Sequence, residues 1–204
     1  MRWLFVFCRE VTRIFYNCLY DIHFEGVENI PTKNGYIIAC NHLYYFDPIL
    51  LSFRIPQWIR YLGKAELFDN AILSAIFRGT GTIRVDRGKG DTSVIDECVA
   101  LSKQGHIIGI FPEGTRSKDG TLGRPKSGMA LIAKQTGYDI LPCAILSERP
   151  LRFRGKITIR YGELIPAEQL LLNEESPRAL KRATKLVWGR ISELAGVSEE
   201  AHEG

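Results

Sequence analysis

A chain of 204 residues, 45% of them hydrophobic and 25% charged, has the make-up of an ordinary globular protein and can bury a proper core in one domain. No stretch reaches the roughly 18 consecutive apolar residues of a spanning helix, which argues against a membrane-crossing segment. The net charge of +4 is mild, but basic residues gather in 54–90, 116–126 and 149–160 while acidic ones collect near the end, a distribution suited to an anionic partner such as phosphate, a lipid headgroup or nucleic acid.

In chain order, residues 2–20 read as an amphipathic helix. Arg2, Arg9 and Arg13 fall on one narrow face at about 100° per residue. Leu4, Phe7, Val11, Ile14, Phe15, Cys18 and Leu19 lie opposite. Such a helix either rests in a membrane interface or packs on its own domain, and the pattern alone leaves both open. Asp21–Glu25 is a short strand, Gly26–Pro31 a turn, and the YIIAC run at Tyr36–Cys40 a buried strand. A helix follows from Pro48. Strand candidates at Trp58–Leu62 and Thr82–Val85 flank a helix over 66–78 that stops at Gly79 and Gly81. Asp91–Lys103 is helical with Gly105 as C-cap residue, and the IIGIF run at Ile107–Phe111 is the clearest buried strand. A glycine-rich loop over 114–125 leads to a helix at about 128–136. Strands at Ile140–Leu146 and Lys156–Tyr161 come next, then a last helix opened by Ser176–Pro177 with Leu180, Ala183, Val187, Ile191 and Leu194 on one face. Residues 197–204 read as a frayed tail.

Strands alternating with helices, several of them uniformly apolar, predict a single α/β domain over 21–196. Its sheet is mostly parallel or mixed and covered by helices, behind the N-terminal helix of residues 1–20. Ligands in such folds bind in loops beyond the carboxyl ends of the strands. The five cysteines show no CxxC pair and no zinc spacing, so they read mostly as small buried hydrophobes of a reducing compartment, and no metal or cofactor is expected.

Four polar clusters sit at strand ends or helix starts. His42 and Asp47 follow YIIAC; on a continuous helix they would stand about 140° apart, so they meet only if 42–46 is a turn and the helix begins at Asp47–Pro48. An Asp beside an imidazole holds one tautomer and stabilises the imidazolium, which is two-thirds of a hydrolase triad without its serine. A substrate hydroxyl then supplies the missing nucleophile, and the reaction is a transfer. The alternative is a structural His next to an Asp that caps the helix. Gly81–Arg87 ends in an Asp–Arg pair that a plain strand end would also explain. Phe111-Pro112-Glu113-Gly114-Thr115-Arg116-Ser117 combines close backbone approach at Gly114 with the phosphate-matching fork of Arg116. Lys126-Ser127-Gly128 opens a helix whose free N–H groups favour an anion, with capping by Ser127 as the competing account.

Asn41-His42-x4-Asp47 together with Phe111–Ser117 resembles the glycerolipid acyltransferase family, specifically its 1-acylglycerol-3-phosphate acyltransferases. Gly81–Arg87 is similar to the family's second block, and Ile140–Ile145 to its fourth. The blocks keep the family's order over about 41–145. Tyr44 and Tyr45 stand where the family often carries small polar residues, and Cys143 where valine is usual. The resemblance implies transfer of a fatty-acyl group from acyl-ACP or acyl-CoA to the sn-2 hydroxyl of lysophosphatidic acid, giving phosphatidic acid for phospholipid biosynthesis. His42 would be the general base and Asp47 its partner. Arg87, Glu113, Gly114, Thr115, Arg116 and Lys126 would form the substrate pocket, with backbone N–H groups near Gly114 at the oxyanion. It further implies a peripheral or monotopic place on the cytoplasmic face of the cell membrane, with the N-terminal helix resting on the lipid. Ester hydrolysis lacks a GxSxG elbow, and nucleic-acid binding lacks a recognition motif. A non-catalytic membrane-binding module or another lysolipid acceptor are the competing readings.

Overall fold

The computed structural model of the chain describes residues 2–85, 93–172 and 176–197. Its elements are α1 (Arg2–Leu19), β1 (Asp21–Glu25), β2 (Ile37–Cys40), α2 (Asp47–Ser52), β3 (Ile59–Lys64), α3 (Ala71–Thr80), β4 (Ile83–Val85), α4 (Ser93–Lys103), β5 (Ile107–Ile110), α5 (Gly128–Thr136), β6 (Ile140–Ser147), β7 (Lys156–Tyr161) and α6 (Pro177–Ala195). Short 3₁₀ turns occupy Val27–Asn29, Ala65–Phe68 and Ala167–Leu170.

The seven strands form one sheet in the order β1-β7-β6-β2-β5-β3-β4. Every pairing is parallel except β6 with β7, so the mixed α/β sheet expected from the strand–helix alternation is what forms. Period-two alternation divides each central strand between two cores. Ile37 and Ala39 pack with α4, α5 and α6 on one face, around Cys98, Met129, Val187 and Trp188. Ile38 and Cys40 pack on the other with Phe5 of α1, Leu50 and Leu51 of α2, and Ile157 and Ile159. The result is a sheet between two helical layers, with β2 in the middle of it.

Caps explain several boundaries. Ser176 accepts a hydrogen bond from the Ala179 N–H at 3.2 Å ahead of Pro177, as the sequence suggests. Gly105, with φ at 74°, ends α4 while the His106 N–H returns to the Leu101 carbonyl. The single helix expected over 66–78 is instead a 3₁₀ turn and a separate helix. Asn70 accepts from the N–H groups of Ile72 and Leu73 and so starts α3 afresh. Ser127 makes no side-chain cap hydrogen bond to α5, contrary to the capping role open to it. Cys40, Cys98 and Cys143 are buried as expected and burial pushes their thiols upward, that of Cys98 to about 12, but Cys18 is exposed.

α1 packs on its own domain through one face and leaves an apolar face exposed. Phe5 is buried in the core, with Val6, Tyr16 and Tyr20 packed beside it, whereas Trp3, Phe7, Val11, Ile14 and Phe15 face outward. Arg9 departs from the expected basic stripe. It turns inward, donates from Nη1 to the Ile55 carbonyl at 3.0 Å and pairs with Glu10. Among the described residues no helix is long and apolar enough to cross a membrane. Arg87 and residues 198–204 lie outside the described residues, so the expected second-block arginine and most of the tail have no structural description.

Candidate active site

β2 and β5 are parallel neighbours, so the chain leaves both at the same edge of the sheet, His42 after one and Phe111 after the other. Asn41 fixes the exit of β2. Its side chain donates from Nδ2 to the Ile145 carbonyl (2.9 Å) and accepts at Oδ1 from the Ile145 N–H (2.8 Å), acting as one further rung on β6.

Residues 42–46 then turn, and α2 starts at Asp47, which is the condition under which His42 and Asp47 can meet. His42 Nδ1 lies 2.8 Å from Asp47 Oδ2. The same oxygen accepts from the N–H groups of Leu43 (2.6 Å) and Tyr44 (2.7 Å). Asp47 therefore closes the turn before the helix and does not cap the helix itself, which was the alternative role for it. Its carboxyl is fully buried; burial pushes it above the ordinary Asp range, against the pull of the imidazole and the two amides. With Nδ1–H donated to the carboxylate, Nε2 is the ring nitrogen left for a ligand in the cleft that His42 lines. The imidazole stacks on Phe111 (centroids 4.1 Å apart), and Phe111 is stacked in turn on Tyr61. Gly109 makes room for this column, since a Cβ there would run into the Tyr61 ring.

One main-chain bond ties the loop after β5 to this turn and another closes the loop on itself. The Ser117 N–H donates to the His42 carbonyl (2.8 Å), and the Lys126 N–H to the Pro112 carbonyl (2.8 Å). Gly114 has φ at 70° and lies against the Lys126 side chain, whose Nζ would be 3.3 Å from a Cβ at that position. Its N–H is bonded to the Phe111 carbonyl at 3.0 Å, so that particular amide is taken and does not serve an oxyanion. Arg116 lies over the exposed ring of Tyr45, with Cζ 3.2 Å from the ring centroid.

A cleft of about 1430 Å³ opens at this edge. Of the residues singled out in the sequence, His42, Gly114, Thr115, Arg116 and Lys126 line it together. Asp47 stands behind His42. Glu113 does not join the polar wall where the sequence reading put it. It is 6% exposed, and its carboxyl faces the backbone N–H groups of His42 and Gly123 from behind. Burial raises its pKa to about 7, against those two N–H groups, and the nearby Asp47 carboxylate adds a smaller push in the same direction.

Glu113 thus carries a pH signature. Its folded pKa lies above the ordinary 4.5, so its protonated form favours the fold; that contribution is complete below about pH 4.5 and is lost as pH rises through about 7. Glu113→Gln is expected to flatten a stability slope of roughly 3 kcal/mol across that window. Urea unfolding of both proteins between about pH 4 and pH 8 checks it; parallel slopes would remove the assignment.

Sequence reasoning missed Arg149. It follows β6, lines the cleft, and donates to the carbonyls of Lys118 (3.0 Å) and Leu43 (3.4 Å), bridging loop and turn. Its guanidinium also lies 5.2 Å from the Tyr44 ring centroid, and the Tyr44 hydroxyl pairs with the Ser147 hydroxyl at 2.7 Å. The only hint was the basic run starting at position 149.

The sequence model of the Acyltransferase family matches residues 21–146, which contain the turn, the loop after β5 and most of the sheet. The chain is 32% identical to the 1-acyl-sn-glycerol-3-phosphate acyltransferase of Bacillus subtilis over 197 residues, covering 94% of this chain and 96% of that protein. It is 33% identical over 122 residues to the enzyme of the same name from Borreliella burgdorferi, spanning about half (49%) of that relative and 59% of itself. Among solved structures it is similar to the 1-acyl-sn-glycerophosphate acyltransferase of Thermotoga maritima, with a TM-score of 0.70 and 26% identity over 90% of this chain and 76% of that one. A fold, a His–Asp turn and a sequence match that agree over the same residues leave one assignment: the chain belongs to the acyltransferase family, within the branch of the 1-acyl-sn-glycerol-3-phosphate acyltransferases.

Proposed function

We propose that the chain moves a fatty-acyl group from a thioester donor, acyl-ACP or acyl-CoA, to the sn-2 hydroxyl of 1-acylglycerol-3-phosphate, yielding phosphatidic acid for phospholipid synthesis. The observation that carries this reading is the 2.8 Å contact of His42 Nδ1 with Asp47 Oδ2 at the strand edge, where no serine hydroxyl or cysteine thiol of the described residues is hydrogen-bonded to the His42 imidazole. The nucleophile then belongs to the acceptor. His42 Nε2 takes the proton of the acceptor hydroxyl as its oxygen attacks the thioester carbonyl. The tetrahedral intermediate collapses, the carbon–sulfur bond breaks, and the thiolate leaves with the proton from the imidazolium. Asp47 steadies the imidazolium by charge and holds its tautomer.

Arg116 and Lys126 are the cations we assign to the acceptor phosphate, because they stand in the same cleft as His42 and on the loop stapled to it. Thr115 supports them, and Arg87 is assigned by family pattern alone. Glu113 acts here from behind, setting the backbone at His42. Arg116→Ala is expected to raise the acceptor KM by roughly 10- to 100-fold with little change in kcat, the cost of one charge-assisted contact. Initial rates over a range of acceptor concentrations check it, and an unmoved KM removes Arg116 from phosphate binding.

The outward apolar residues of α1 support a peripheral or monotopic seat on the membrane, where both the acceptor and the product are amphiphiles, and we assign it to the cytoplasmic face by family pattern alone. Purified protein supplied with lysophosphatidic acid and each donor in turn, scored for phosphatidic acid, tests the whole proposal. Turnover with neither donor overturns it, and free fatty acid released without acceptor would mean hydrolysis.

A further inference from the structure

α3 has no burial to justify its composition. Ala71 to Phe77 contains no charged residue, yet Ile72 is 73% exposed, Leu73 44% and Ile76 43%. A helix this apolar normally turns a stripe into the core, and this one shows much of it to solvent. The stripe has a direction. Ile72, Ile76 and Gly79 follow the i, i+4, i+7 spacing of one face, and Gly79 is buried because Leu4 of α1 sits directly on it, 2.5 Å from where a Cβ would stand. On α1, Leu4 heads the same kind of spacing through Phe7, Val11 and Ile14, all three exposed. The two apolar stripes therefore join at the Leu4–Gly79 contact into one surface.

Two further features identify what covers that surface. The cleft containing His42 reaches both helices, with Phe5, Cys8 and Thr12 of α1 and Ile76, Phe77 and Thr80 of α3 among its lining. Arg78, exposed on α3 next to Gly79, stands where an anionic headgroup would lie beside the apolar layer, while Arg2 and Arg13 (the latter paired with Glu10) keep to the face of α1 opposite its stripe.

We propose that α3 is a second lipid-contacting element, entering the bilayer surface beside α1 through Ile72 and Leu73. The mouth of the cleft then faces the lipid in which the long-chain acceptor resides. The inference rests on the membrane seat proposed for α1, and the test separates the two. Ile72→Glu/Leu73→Glu changes exposed positions outside the cleft lining. Against vesicles of equal parts phosphatidylcholine and phosphatidylglycerol, it is expected to weaken co-sedimentation by roughly tenfold or more. Turnover of a long-chain acceptor presented in those vesicles falls in step, whereas turnover of a short-chain acceptor that stays monomeric in water is unchanged. Phe7→Glu/Ile14→Glu on α1 is run alongside. Release by the α1 pair with full binding by the α3 pair overturns this inference alone; full binding by both overturns the membrane seat as well. A shift in molar mass by light scattering for the α3 pair, with vesicle binding intact, would assign the face to a second copy and overturn the inference. Ile72→Trp, which keeps the surface apolar, supplies an independent reading. Its added emission is quenched by brominated phospholipid if the helix is immersed, and unquenched emission counts against it.

Discussion

His42→Ala is expected to lower kcat by roughly 10³- to 10⁴-fold while the protein unfolds in the same temperature range as the parent. The size follows from what the imidazole does in the proposed reaction. It removes the proton that would otherwise appear on the attacking oxygen, and it returns one to the leaving sulfur, so both halves of the transfer lose their proton carrier at once. The fold tolerates the loss because the neighbouring backbone is held by other groups: Asn41 on β6, the Ser117 N–H on the His42 carbonyl, and Asp47 on the amides of Leu43 and Tyr44. Single-turnover rates and a thermal melt on the same preparation decide the matter. Transfer within tenfold of the parent would mean that the imidazole is structural.

Asp47→Asn is expected to cost nearly as much, roughly 10²- to 10⁴-fold in kcat. It is the sharper experiment. One oxygen, Oδ2, accepts all three hydrogen bonds, while Oδ1 is buried without a partner among the described residues. An amide oxygen can replace Oδ2 and keep the turn, so what disappears is the negative charge that steadies the imidazolium. The amide nitrogen then takes the buried Oδ1 position with nothing to donate to, which costs about 1–3 kcal/mol of stability. Because His42 and Asp47 act as one unit, the double variant is expected to be no slower than His42→Ala alone. Multiplicative losses, or a near-parental rate for Asp47→Asn, would separate the two residues.

What could be read from the chain before any coordinates divides along a physical line. Features set by local patterns were legible. YIIAC and IIGIF announce buried strands because both faces of a covered parallel sheet are dry, and Asp47–Pro48 announces a helix start because proline fits only there. That start position made the His42–Asp47 encounter a geometric expectation. Features set by distant neighbours were not legible. Nothing near position 113 says that its carboxyl turns behind the His42 backbone instead of into the cleft, since that depends on Gly123 leaving space for it. Arg149 bridges carbonyls 31 and 106 residues away in sequence. Arg9 belongs by pattern to a solvent stripe and is turned inward onto a carbonyl of a distant segment, that of Ile55. The exposure of α3 was hidden for the opposite reason: an apolar helical run signals a core, and only the surroundings show that no core lies above it.

The side-chain rung that Asn41 adds to β6 separates two kinds of inheritance in this protein. The residue bearing the imidazole hangs from the innermost strand, and its position is dictated by the packing of the whole sheet. Arg116 and Lys126 hang from a surface loop whose attachments are mostly main-chain. On the assignment proposed above, a lineage can retune which headgroup it accepts by exchanging loop side chains, one at a time, and leave the proton-transfer geometry as it was.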